Sequence, residues 1–544
     1  MTDETTAVRP PTSGPVRAAR RRRLDPVLRT VTGWAVLIAL WQFVATVVLA
    51  GTHLMGSPLG IVADIADKHE LYLRALGFTG RTALWGYLYG NAVAIGLAVL
   101  VAAIPRSERL VLRVALVAYC LPLVAIGPLL RLIFGLNDGP QITLSALAVF
   151  YMTLVPLLVG LRAVPSTWTD LVHSYGRGRI TTLLVVRLRA CAPYLSAGLQ
   201  VSVPAAFLGA LVGEFTGAER GVGVLSILAL RSLDTNGLWA LATLSAAVSV
   251  LVYAVVGWGG RLLTPDQPTV LMATPPTARR RAAWQRWLTG LTEGVVTLAL
   301  VLLTWLALLH LLDLNPYFAK RPADVWAWLV TDPEAAANRS EIATALRSTA
   351  LVAVPGYFAG LVLGVGMASL FELAPSVRRT MTPVAVALRC VPIISIAPLL
   401  VQALGRGVVG TTVVVAMMTF FPTLVACMYG LRQTPGQVTD LFETFAAPPW
   451  RTLLLARIPA MMPAFLSSAR IAAPSALLAA TVAEWLATGT GVGNLLAVTA
   501  ATSRYDALWS TVVVVTAVAV AAYWLVEVIE RRILRVVAPE QSTW

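Results

Sequence analysis

Apolar positions in this chain fall in long runs separated by short polar segments, without the strict alternation that a half-buried strand would show. Runs of about 18 residues or more are long enough, as helices, to cross a hydrocarbon layer roughly 30 Å thick. They predict about twelve spanning helices, over 31–51, 78–104, 111–134, 142–164, 193–214 and 238–261, then 291–314, 346–371, 382–405, 410–430, 462–485 and 507–529. Charges collect between them. The pattern predicts an all-α polytopic membrane protein. The composition agrees: 57% of residues are hydrophobic and 13% charged, with a mean hydropathy of +0.76, more apolar side chain than a soluble surface could hide.

The runs repeat. Sliding the chain by 270 residues lays the first half on the second without a gap over roughly 140 residues. "GYLYGNAVAIG" from Gly86 falls on "GYFAGLVLGVG" from Gly356, and "CLPLVAIGPLL" from Cys120 on "CVPIISIAPLL" from Cys390. Asp170 meets Asp440, Arg187 meets Arg457, Pro193 meets Pro463 and Pro204 meets Pro474. Shared hydrophobicity would not hold prolines, glycines and acidic residues in register for that distance, so the chain is a duplication. Six spans per copy is an even number, which predicts two parallel six-helix repeats related by an axis along the membrane normal. The expected organisation is a basic tail (1–30), a first repeat (31–262), a proline-rich basic linker (263–290), a second repeat (291–535) and a short C-terminal tail (536–544).

Charge orients this arrangement. The formal net charge is +15, and the arginine clusters at Arg17–Arg23, Arg106–Arg113, Arg177–Arg189, Arg279–Arg286, Arg378 and Arg531–Arg535 all fall on one side if the N-terminus is cytoplasmic. That is the positive-inside pattern, with both termini in the cytoplasm. Opposite-side loops hold only about nine of the 42 basic residues, the two lysines Lys68 and Lys320 among them. The distribution argues against a nucleic-acid partner and for a lipid one. Cys120, Cys191, Cys390 and Cys427 lack metal-type spacing and are expected to pack rather than form disulfides.

Two kinds of chemistry are missing. No phosphate-binding loop of the form GxxxxGK[ST] is possible, because the only lysines sit in "DKHE" and "AKRP". The histidines at 53, 69, 173 and 310 are scattered, and no acid, base and nucleophile gather in one loop. The chain is therefore expected to be a transport component rather than an enzyme, with no catalytic residues, metal or cofactor of its own. If it works as a pump, ATP and Mg must be handled by another polypeptide.

The longest loops between spans are where such a partner could grip. They read "TDLVHSYGRGRITTLLVVRLRACAP" from Thr169 and "TDLFETFAAPPWRTLLLARIPAMMP" from Thr439. Each predicts a short amphipathic helix, a turn and a second helix that enters the bilayer. Leu441, Phe442 and Phe445 would present an apolar face near the turn, with Arg451 and Arg457 pointing to water or lipid headgroups.

The second loop resembles the Glu-Ala-Ala coupling loop of the permease subunits of ABC importers, whose pattern is an acidic residue, a glycine six positions on, a tryptophan four beyond that, and prolines 13 and 17 past the glycine. Asp440, Ala446, Trp450, Pro459 and Pro463 stand at those positions, with Arg451 beside the tryptophan. In the first loop Asp170, Gly176 and Pro193 do, while Ile180 and Arg189 replace the tryptophan and the first proline. The resemblance extends over residues 75–260 and 345–535 and is nearest to permeases for nitrate, sulfonates, taurine and related small compounds, where "LPLVAIGPLLRLIFGLNDGPQI" (Leu121–Ile142) has a similar counterpart. A second shared feature is a glutamate followed by a Gly-x-Gly turn: Glu214 with Gly221 and Gly223, and Glu484 with Gly491 and Gly493. The glutamates are expected first to cap the following turn, with a pathway or gate contact and a proton relay as the functional alternatives, the glycines permitting a backbone course that side chains would obstruct.

The resemblance implies a fused pair of permease subunits. Two ATPase subunits would receive the loops at about 166–186 and 436–456, and an extracytoplasmic solute-binding protein would deliver a small-molecule solute at 215–237 and 486–506. Arg131 is expected to snorkel to the interface or to attract an anionic solute, Pro122, Pro128, Pro392 and Pro398 to break or kink helices, and Asn91, Gln141 and Gln402 to bond neighbouring helices or face the path. The competing reading is a proton- or sodium-coupled secondary transporter, which also uses two six-helix halves.

Overall fold

The computed structural model describes residues 35, 38–48, 55–135, 137–164, 166–178, 181–263, 283–374, 377, 381, 397, 400, 404–405 and 407–537. The first repeat contains α1 (Pro58–Asp67), α2 (His69–Ala103), α3 (Glu108–Cys120), α4 (Leu123–Phe134), α5 (Gly139–Arg162), α6 (Ser166–Ser174), α7 (Leu188–Phe215), α8 (Val222–Arg231) and α9 (Thr235–Leu263). The second contains α10 (Ala283–Leu311), α11 (Pro322–Trp326), α12 (Ala335–Leu373), α13 (Val408–Leu431), α14 (Gly436–Thr444), α15 (Pro449–Thr452), α16 (Ile458–Ala483), α17 (Gly491–Ala501) and α18 (Tyr505–Val537). No strand occurs among the described residues.

Nine of the described helices are long and apolar enough to cross a membrane, and α3 with α4 would add a tenth if the bent pair is one span. The expected span 31–51 is represented by a shorter apolar helix, Ile38–Val48. Most of the expected span 382–405, including Cys390, Pro392, Pro398 and Gln402, lies outside the described residues, as does most of the predicted linker. The chain resumes as helix at Ala283, ahead of the expected start at 291.

The expected span 111–134 is two helices meeting at 88°, with the break at Pro122, one of the prolines expected to break or kink a helix. Leu121 adopts an extended conformation (ψ 129°) and so does Pro122 (ψ 101°). The reason is steric: a proline's ring disfavours helical geometry at the preceding residue, and its missing N–H removes the hydrogen bond that would carry the helix through.

Small residues set how the long helices meet. Gly86 and Gly90 on α2 face α5, where an added Cβ would land 2.2 Å from Ser145 and 2.7 Å from the Ala146 carbonyl. Their counterparts Gly356 and Gly360 on α12 face α13, and a Cβ at Gly360 would sit 1.8 Å from Thr419 Oγ1. With lipid as apolar as leucine, close backbone approach of this kind, not hydrophobic exclusion, is what holds membrane helices together. Asn91 serves the same contact, donating to the Tyr87 carbonyl (2.8 Å) and accepting from Thr153 Oγ1 (2.6 Å).

The repeats share apolar clusters. Ala125 and Leu129 of α4 pack with Val492 and Leu496 of α17 and Leu508 of α18. Val482 of α16 joins a cluster built from Leu211, Val222, Ala229 and Leu238. Helix α10 straps the two repeats together: Glu293 near its start pairs with Arg109 and Arg113 of α3 (both 2.9 Å), while Trp305 stacks on Trp509 at 5.2 Å.

Gly360→Ala is expected to destabilise the protein by about 1–3 kcal/mol through overpacking. Gly366→Ala, with nothing within 4 Å of the added carbon, is expected to be neutral or to stabilise by up to about 1 kcal/mol. Thermal midpoints of the two purified variants decide; equal midpoints would mean α12 and α13 do not meet at that glycine.

Candidate functional site: the glycine turns and the loop helices

Helix α7 ends at Phe215 and α16 at Ala483, and after each the chain turns into a short apolar helix, α8 or α17. At both turns a glutamate is buried, Glu214 at 1% exposure and Glu484 at 3%. Burying a carboxylate without donors would cost several kcal/mol, and the same donors meet it in each repeat. Thr79 Oγ1 donates to Glu214 Oε1 at 2.7 Å, and Gly223 N–H donates to Oε2 at 2.7 Å. Thr79 Oγ1 in turn accepts from Val222 N–H at 3.0 Å. In the second repeat, Thr349 Oγ1 and Gly493 N–H both donate to Glu484 Oε2, at 2.8 and 2.9 Å, and Thr349 Oγ1 accepts from Val492 N–H at 2.9 Å. Each glutamate thus caps a helix that follows it, where free amides and the helix dipole favour negative charge.

The glycines are there because the carboxylate occupies their side-chain space. A Cβ on Gly221 or Gly491 would lie 2.2 Å from the carboxyl carbon of Glu214 or Glu484, and both positions have positive φ (124° and 83°). On Gly493 it would lie 2.0 Å from the Thr481 carbonyl, and on Gly223 2.8 Å from Glu214 Cβ. The structure therefore brings all six residues of the two motifs together in matching groups. It adds Thr79 and Thr349, which composition does not single out but which stand 270 residues apart, so the repeat alignment was the signal that could have found them.

Beyond each turn each repeat carries an internal ion pair, and the two pairs are of opposite sense. Asp234 and Arg504 occupy matching positions, each after a residue with φ of 57°. Their backbone amides make the same bond, to Ala229 O and Thr499 O at 2.9 Å. Yet Asp234 accepts from Lys68 Nζ at 2.9 Å, whereas Arg504 donates in a two-point contact to Glu341 at 3.1 and 3.0 Å. Hydrogen bonds to Asp64 and then Asp234 hold the Lys68 ammonium above its ordinary pKa.

The loop helices α6 and α14 lie at the other end of α7 and α16. Each closes with the i→i+5 backbone bond of a Schellman-type cap, Arg177 N–H to Val172 O (3.2 Å) and Ala447 N–H to Phe442 O (2.9 Å). The turn residue has positive φ in both, Gly176 at 68° and Ala446 at 50°. A side chain in that conformation costs roughly 1–2 kcal/mol. Asp170 and Asp440 are exposed on the polar faces. Leu441, Phe445 and Trp450 are also exposed, as are Trp168, Leu171 and Tyr175 in the first repeat. Arg451 lies over the Trp450 ring, 5.2 Å from its centroid. Pro459 falls in the first turn of α16, where its missing N–H is no loss, while Pro193 and Pro463 stand inside α7 and α16.

Arg457 departs from expectation. Instead of reaching water or headgroups it pairs with Glu372 near the end of α12. Its counterpart Arg187 donates to a backbone carbonyl, Ala102 O, at 3.4 Å; alanine stands where the second repeat has Glu372.

A further polar group was not anticipated, although an arginine inside an apolar run is a visible signal. Arg470 Nη1 lies 3.1 Å from Glu530 Oε2, and its guanidinium covers the Tyr523 ring at 5.4 Å. Beside it, Tyr119 of the first repeat stacks on Tyr151 and bonds Ser475 of the second at 2.7 Å. Gln200, Gly257 and Gly260 occupy the positions matching Arg470, Glu527 and Glu530.

Thr349→Val, which takes the hydroxyl acceptor from the Val492 amide and removes one donor from Glu484, is expected to lower stability by about 1–3 kcal/mol. Gly491→Ala should cost more, since it adds a clash to an unfavourable φ. Denaturation of the purified variants checks the order; a neutral Gly491→Ala would show that the carboxylate does not fill that space.

The family model for the binding-protein-dependent transport system inner membrane component matches twice, over residues 90–266 and 360–535, its two starting points 270 residues apart. A probable ABC transporter permease protein of Haemophilus influenzae is 29% identical over 237 residues, covering 44% of this chain and 95% of its own. The riboflavin transport system permease protein RibX of Chloroflexus aurantiacus is 27% identical over 248 residues (44% and 90%). The putative aliphatic sulfonates transport permease protein SsuC of Bacillus subtilis is 26% identical over 226 residues (41% and 79%). Each relative thus has the size of one repeat, and this chain belongs, as a fused two-copy permease of the ABC transporters, to the family of binding-protein-dependent transport system inner membrane components.

Proposed function

We propose that this chain supplies both halves of the translocation pathway of an ATP-driven importer. Two separate ATPase subunits take the loop helices α6 and α14, and an extracytoplasmic binding protein delivers a small solute at the ends carrying the glycine turns. The observation that carries the reading is the pair of loop helices. Each is short, polar on one side and apolar on the other, and the bulky side chains on it or just beyond it, Leu441, Phe445 and Trp450, or Trp168, Leu171 and Tyr175, are left open. Exposed apolar patches rimmed by charge mark protein interfaces.

The shared clusters support a parallel arrangement. Helix α17 and the end of α16 pack against α4 and the start of α9, so the glycine-turn ends of the two repeats meet each other. The loop helices then lie together at the opposite end, which the distribution of arginine assigns to the cytoplasm. ATP-driven closure of the ATPases would draw α14 and α6 together and tilt α16 and α7, which begin a few residues downstream. Arg457 with Glu372 would tie the second loop to α12, while the first lacks that ion pair, so the two ATPases are held unequally.

The role proposed for Glu214 and Glu484 is to pin α8 and α17 at the outer end of the path. Both carboxylates are committed to the same donors, so neither Glu214 nor Glu484 is free to serve the ion-coupled alternative.

Trp450→Asp places a charge in the apolar patch. It is expected to weaken co-purification with the cognate ATPase by at least about tenfold while membrane insertion stays normal. Unchanged association together with unchanged solute uptake in reconstituted vesicles would overturn the assignment of the loop.

A further inference from the structure

The two repeats share a backbone plan, so a difference in chemistry between matching positions is informative about what one of them binds. The largest such difference is a cavity of about 800 Å³ at the glycine-turn end of the first repeat. It is bounded by the starts of α2 and α5, the end of α4 and the turn before α8. Six charged residues line it: Arg74, Arg81, Arg131, Arg220, Asp138 and Glu219. Arg81 pairs with Asp138, and Arg74 with Glu70. Among the described residues no ion pair engages Arg131 or Arg220. Gln141, 1% exposed, adds an amide to the wall whose Oε1 has no hydrogen-bond partner among the described residues.

The matching positions in the second repeat carry none of this. Thr344, Leu351, Val401 and Thr490 replace the four arginines, and Val408 and Gly489 the two acids. Over all the lining positions the second repeat has one acid and one base, Glu341 and Arg347, which cancel, and Glu341 is already held by Arg504. The first repeat keeps a net positive wall. Folding does not require it, because the glutamate cap, the glycine turn and the helix packing are the same without it. A concave surface with an excess of one sign concentrates counter-ions, and guanidinium groups match the planar or tetrahedral oxygens of an oxyanion.

We propose that this cavity is a binding site for the anionic group of the transported solute, a carboxylate, sulfonate or phosphate, and that it makes the first repeat the solute-receiving half of the pathway. The proposal rests on the reading of the chain as an importer permease. Its test uses the purified chain alone, so the outcome does not depend on coupling to an ATPase.

Leu225 lines the cavity and its counterpart Leu495 stands at the same place in the second repeat, so Leu225→Cys and Leu495→Cys form a matched pair. Each is labelled in phosphatidylcholine nanodiscs with an anionic and a cationic methanethiosulfonate reagent, above the background of the parent chain. The ratio of anionic to cationic rates is expected to be about tenfold higher at 225 than at 495. It should fall to the level at 495 when Arg131→Gln and Arg220→Gln are added. Millimolar methanesulfonate should slow labelling at 225 alone. Equal ratios at the two positions overturn the proposal, as does a ratio insensitive to the arginine replacements. Protection by phosphatidylglycerol but not by methanesulfonate would mean a lipid headgroup is the occupant and would sink the solute assignment. Should Leu225→Cys not assemble, Phe78→Cys against Ser348→Cys makes the same comparison.

Discussion

A carboxylate taken out of water must be met by donors, and this chain buries one at the same point of each repeat. Much of the local architecture follows from that requirement. The donors are a threonine hydroxyl from α2 or α12 and an amide at the start of α8 or α17. Those helices must therefore begin next to the glutamate and approach so closely that only glycine fits at Gly221 and Gly491. Once pinned, α17 offers Val492 and Leu496 to α4 of the other repeat, and Val222 of α8 enters the cluster that takes Val482. A hydrogen-bond network inside one repeat thus shapes the apolar contact between the two.

The duplication separates what the fold demands from what each half does. Glutamate caps, glycine turns, Schellman-type loop ends and small-residue helix contacts occur in both copies. Charges do not. Asp234 and Arg504 make equivalent backbone bonds and oppositely signed ion pairs. Arg457 has a carboxylate where Arg187 has a carbonyl, and Arg470 with Glu530 stands where the first repeat has Gln200 and a glycine. Freed from any need to bind identical surfaces, a fused chain can divide its tasks, and the basic cavity and the anchored second loop lie on different repeats.

The sequence by itself determined the membrane class, the two-copy plan and the location of the loops, because each is a matter of period and register: apolar length against bilayer thickness, and prolines, glycines and acids recurring at a constant offset. It also reached the Glu and Gly-x-Gly groups and left their role open between cap and gate. Tertiary structure decided that role, since Thr79 lies 135 residues from Glu214 and only folding makes them partners. It decided the near-right angle of the break that Pro122 announced, and the pairing of Arg457 with Glu372, which two exposed-looking charges in separate segments could not announce. Hydrophobic runs are local and cumulative, so they survive in one dimension. A hydrogen bond or ion pair depends on a few ångströms between distant residues, and that distance exists only once the helices have packed.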